Sequence, residues 1–112
     1  MNEIVEMAQR LGKAIADSQA AQRLRAAKHE FDQHKDLSEL LKAYRQQADK
    51  IGQLEQEQKP VEVMDKRKLQ EFQDKLVAAE PFKQLTAAQV EYLDMMHKVN
   101  EAIRRQLAEI ED

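Results

Sequence analysis

The 112 residues comprise 42% hydrophobic and 35% charged residues, with 18 Lys and Arg against 21 Asp and Glu for a net charge of −3. That is the length of one domain, and 2 Gly with 2 Pro are too few turn residues for a sandwich, a barrel or alternating β/α units. The absence of cysteine excludes disulfides, thiolate zinc sites, cysteine-held iron–sulfur clusters and a Cys nucleophile, which leaves a helical protein to be read from its apolar spacing.

Ile4, Ala8, Leu11 and Ile15 step by four, three and four, with Val5 alongside, so a first helix is predicted over about residues 2–16. Gly12 inside it costs roughly 1 kcal/mol against Ala, a cost that close helix packing there would offset. Asp17-Ser18 is a start signal, and Ala21, Leu24, Ala27 and Phe31 form the stripe of a second helix over 18–33. It is rich in Ala and only weakly apolar, so shallow packing is expected. The stripe breaks at Gln33-His34-Lys35-Asp36. Asp36 with Glu39 three residues on has the form of a capping box, Asp taking the Ser/Thr place.

Leu37, Leu40, Leu41, Tyr44, Ala48, Ile51 and Leu54 then trace a third helix over 36–58, ended by the loop Lys59-Pro60-Val61-Glu62. Leu69, Phe72, Leu76 and Ala79 mark a fourth over 65–79. Glu80-Pro81 stops it, because the residue before proline is pushed out of helical geometry. Pro81 suits the first position of a fifth helix over 81–110, where its missing N–H is no loss.

In that last helix Phe82, Gln89, Met96, Ile103 and Ile110 recur every seven residues, with Leu85, Tyr92, Val99 and, one step late, Leu107 in the companion row. Four such heptads read as a coiled-coil-like seam. A helix of about 30 residues is roughly 45 Å long, whereas a compact monomer of this size has a radius of gyration near 13 Å. The predicted helix therefore overshoots such a globule by about 10 Å, carrying Ile103, Leu107 and Ile110 with it. Left wet, each forgoes on the order of 1.5–3 kcal/mol of burial, and a second subunit is the simplest cover. The expectation is a single elongated antiparallel bundle that forms a homodimer. Its seam comprises Gln89, Tyr92, Met96, Val99, Ile103, Leu107 and Ile110, Gln89 being a polar group able to fix register.

No apolar stretch is long enough to span a bilayer, and Met1-Asn2-Glu3-Ile4-Val5-Glu6 carries acid where a signal peptide carries base, so a cytoplasmic location is expected. Split at Gln58, the halves hold 9 basic with 10 acidic and 9 basic with 11 acidic residues, which argues against a nucleic-acid partner. Lys66-Arg67-Lys68 is the one basic run, diluted by Asp65, Glu71 and Asp74 and lacking an aromatic to stack a base.

His29, His34 and His97 do not supply the paired Glu-x-x-His of a di-iron bundle, because Asp94-Met95-Met96-His97 is one shortened copy; no metal or cofactor is expected. Ser18 and Ser38 lie near helix starts, where capping explains them, and two glycines 40 residues apart build no phosphate cradle. The carboxylates interleave with bases, as in Asp49-Lys50, Glu62 with Lys66, Glu71 with Lys75 and Glu101 with Arg105, which describes a solvated helix face. The chain reads as a non-enzyme.

In the order and spacing of its elements the chain resembles the YlbF/YmcA family of small bacterial helical proteins, and within it the YheA-type members. The likeness runs through Ile4 to Ile15, Asp17-Ser18-Gln19 leading into Arg23-Leu24, then Phe31 to His34. It continues in Leu40-Leu41-Lys42-Ala43-Tyr44-Arg45, Leu69-Gln70-Glu71-Phe72 and the Pro81-Phe82 break. At His34-Lys35 the family tends to place an Asp-Pro helix start, and this chain departs from it. The resemblance implies a cytoplasmic, all-helical, non-catalytic adaptor acting through protein contacts, in a family tied to competence, sporulation, biofilm control and modulation of ribonuclease Y. Some relatives carry cysteines linked to iron–sulfur binding, which this sequence lacks. A prefoldin-like holdase or a weak RNA-binding bundle are the alternative classes.

Overall fold

A computed structural model describes residues 2–111. Five helices follow one another, α1 (Glu3–Asp17), α2 (Gln19–Asp32), α3 (Lys35–Gln56), α4 (Val63–Ala78) and α5 (Glu80–Glu111), with no strand among the described residues. The protein is all-α. Two compact units divide the chain: Met1–Lys28 with Leu85–Asp112, and His29–Gln84.

The second unit is built on an antiparallel hairpin of α3 and α4. Every apolar residue of the predicted α3 stripe is half-buried, and so are Leu69, Phe72 and Ala79, while Leu76 is fully buried at 2% exposure. Phe31 is buried as deeply, its ring tilted 57° to that of Phe82 with centroids 6.1 Å apart, an edge-to-face class of contact. Two polar ties hold the turn end of the hairpin: Gln47 Nε2 donates to the Asp65 carbonyl at 2.9 Å, and Lys50 Nζ meets Asp65 Oδ1 at 3.0 Å.

In the first unit Ala20, Ala21, Leu85 and Ala88 are buried, and Arg23 Nη1 pairs with Glu91 Oε1 at 2.9 Å. In this unit α2 encloses only Ala20 and Ala21, while Leu24 and Ala27 stay half-buried, the shallow packing that its composition predicts.

The helix ends follow local chemistry. Asn2 caps α1 by accepting from the Ile4 N–H at 2.9 Å. Ser18 works in both directions: its hydroxyl donates to the Ile15 carbonyl at 2.6 Å, ending α1, and accepts from the Ala21 N–H at 3.2 Å, starting α2. At the end of α3, Gln58 takes φ 59, the Gln58 N–H donates to Glu55 O and the Lys59 N–H to Leu54 O. That is a Schellman stop with glutamine where glycine is usual.

Four boundaries from α3 onward differ from the sequence reading. The capping residue of α3 is His34 and not Asp36, which lies in the first turn. Leu37 and Ser38 N–H both donate to the His34 carbonyl, so backbone bonds close the turn with no side-chain cap. The Schellman turn ends α3 at Gln56, and α4 begins at Val63, whose turn closes by Asp65 and Lys66 donating to Glu62 O. The break before α5 falls at Ala79 (φ −84, ψ 126), so Glu80 opens α5 and Pro81 occupies its second position. That N–H has no helical acceptor either, so proline is tolerated there as well as at the first position.

Candidate interaction surface

The seven seam residues expected from the heptads do not share one environment. Tyr92, Met96 and Val99 are half-buried; Gln89, Ile103, Leu107 and Ile110 are exposed. Tyr92 and Met96 line a shallow groove with Gly12, Ile15, Ala21 and Leu24 of their own chain. Buried Leu85 and Ala88 continue that side of α5 toward its start, and Gln89 beside them is exposed. Beyond Val99 the stripe goes on through Ile103, Leu107 and Ile110 with nothing to cover it.

A second uncovered face lies on α1. α1 is strongly amphipathic, with Glu3, Glu6, Arg10, Lys13 and Asp17 on one side and Ile4, Met7, Ala8, Leu11 and Ile15 on the other, and none of its residues is buried. Ile4 is 75% exposed and Ile110 is 80% exposed. The clean three-and-four stepping of α1 was the available signal, since a stripe that regular needs a partner surface. Gly12 meets no neighbour: a Cβ built there finds nothing within 4 Å, so within the chain it serves no close packing. Val90 and Leu93 form a separate exposed apolar pair on α5.

The ionisable groups are arranged as surface pairs. His34 Nε2 stands 3.3 Å from Glu30 Oε1, while His29 and His97 are exposed. Asp94, the acid of the shortened Asp-x-x-His, is occupied by Lys98 at 3.0 Å. Among the described residues no group of three His, Cys, Asp or Glu is placed to hold a metal ion. Glu101 takes both Arg104 at 3.4 Å and Arg105 at 3.6 Å. Lys50 turns from its neighbour Asp49 to Asp65 across the hairpin, and its hydrogen bond holds that carboxyl below the usual range against the opposing effect of burial. Lys59, with help from Gln53, does the same for Glu57. Lys66, Arg67 and Lys68 are exposed on the first turns of α4. No helix among the described residues is long and apolar enough to cross a membrane.

Five helices with apolar stripes left open at both ends of the chain define a small all-α protein. The chain belongs to the YlbF/YmcA family: the family described as control of competence regulator ComK, YlbF/YmcA, matches residues 4–108. The resemblance carried by Ile4 to Ile15 and by the Pro81-Phe82 break is therefore one of membership, in a family of regulatory description. Neither a curated protein nor a solved structure matches the chain.

Proposed function

We propose that this protein is a non-catalytic adaptor of YheA type, a single helical domain working in the cytoplasm through protein–protein contacts in the control processes its family description names. It pairs with a second copy of itself through the last turns of α5, with Val99, Ile103, Leu107 and Ile110 at the contact, and Gln89, Tyr92 and Met96 extending the seam toward the groove. The supporting observation is the exposure of large aliphatic side chains on the terminal turns of a 32-residue helix, 80% at Ile110. In water such a stripe forgoes burial worth on the order of 25 cal/mol per Å². Supporting the non-catalytic part, His34, Asp94 and Glu101 are each engaged in an exposed pair.

Sedimentation tests the pairing directly. The unaltered protein is expected as a dimer and Ile103→Glu as a folded monomer, since the new charge must be desolvated twice in a two-fold contact. A monodisperse monomer of the unaltered chain ends the proposal.

A further inference from the structure

The two uncovered stripes of the first unit fit each other. On α1 the apolar residues Ile4, Met7, Leu11 and Ile15 advance by three, four and four; on α5 Ile110, Leu107, Ile103 and Val99, read backwards, do the same. Laid antiparallel, the helices present four layers in step: Ile4 with Ile110, Met7 with Leu107, Leu11 with Ile103, Ile15 with Val99. Within one chain these partners do not cover one another: Ile4, Met7, Ile103 and Ile110 are 45–80% exposed. We infer that α1 is an exchanged arm, lying antiparallel on the terminal turns of α5 of a second copy, so that each chain covers the other's stripe.

The area available favours a second copy that takes both stripes. A standard stable interface buries about 800 Å² per partner. Taking roughly 180 Å² for a fully exposed aliphatic residue, Ile103, Leu107 and Ile110 leave only about 300 Å² uncovered, far short of that standard. Adding Ile4, Val5, Met7 and Leu11 brings the uncovered surface to about 700 Å² per chain, close to it. α1 therefore more than doubles the apolar surface that the end of α5 offers a second copy. The inference rests on the proposed pairing of two copies and adds which surfaces carry it. Reciprocal exchange also makes the contact isologous, as a closed dimer requires.

The absence of native cysteine makes a thiol test clean. Leu11→Cys and Ile103→Cys prepared as separate chains, mixed and mildly oxidised, are expected to give a disulfide-linked dimer joining position 11 of one to position 103 of the other. The double variant Leu11→Cys/Ile103→Cys is expected to cross-link between chains as well. An internal bridge in a monomeric double variant, or no bridge in the mixture, overturns the exchange.

Sedimentation of Ile4→Glu/Met7→Glu separates this inference from the pairing itself. Neither residue is buried, so helicity by circular dichroism is expected to persist while the dimer dissociation constant rises at least tenfold. A dimer of unchanged strength overturns the role of α1 and leaves the α5 seam standing. A monomeric unaltered protein overturns both.

Discussion

Gly52 and Asp65 show how far single positions account for the hairpin. Gly52 lies inside α3, and a Cβ built there meets nothing within 4 Å. Only the conformational cost of glycine remains, so Gly52→Ala is expected to raise stability by roughly 0.5–1 kcal/mol in urea denaturation. For Asp65 the expectation concerns pH. Lys50 lowers its carboxyl in the folded state, so the pair stabilises the fold above the ordinary aspartate range, about 4, and loses that effect as pH falls through the lower folded value. The melting temperature of the unaltered protein should exceed that of Asp65→Asn at neutral pH, and the gap should close in acid; a gap independent of pH would remove the ion pair from the account. The tie itself could not be read from sequence. The neighbouring Asp49-Lys50 is the obvious pair on paper, and only the fold-back of α4 brings residue 65 to residue 50.

At the level of whole helices, the connector between α3 and α4 carries a cost that the sequence does not advertise. Gln58 adopts φ 59, a region where a side chain crowds its own backbone, to let Gln58 and Lys59 satisfy the last carbonyls of α3. Gln58→Gly is expected to stabilise the protein by on the order of 1 kcal/mol, measured by thermal melt, without altering the helix content. The stripes of α3 and α4 were legible because seven and four apolar residues in helical step leave one face to bury. The starts of α3 and α5 were not. His34 caps with backbone alone and so leaves no residue signature, and proline fits either of the first two positions of a helix.

At the scale of the molecule, Ile103→Glu gives a second readout of the proposed dimer. A pair that folds and associates together melts at a temperature that rises with protein concentration, and this dependence should vanish in the variant. The periodicity of α5 predicts one continuous seam, whose residues meet different surroundings within the chain. Tyr92 and Met96 satisfy the same repeat as Ile103 and Ile110, yet they line a groove with their own chain. A repeat shows that a face is apolar and is silent on who covers it, which is decided by where α1 and α2 run out along the partner helix.

The turn from Glu57 to Glu62 has one practical result. Its backbone is fixed by its own hydrogen bonds and by Pro60, and residues 55–60 all face solvent. Foreign sequence grafted at this tip, such as an epitope or a fluorophore tag, disturbs no buried side chain. It is the natural attachment point for tracking the protein inside a cell.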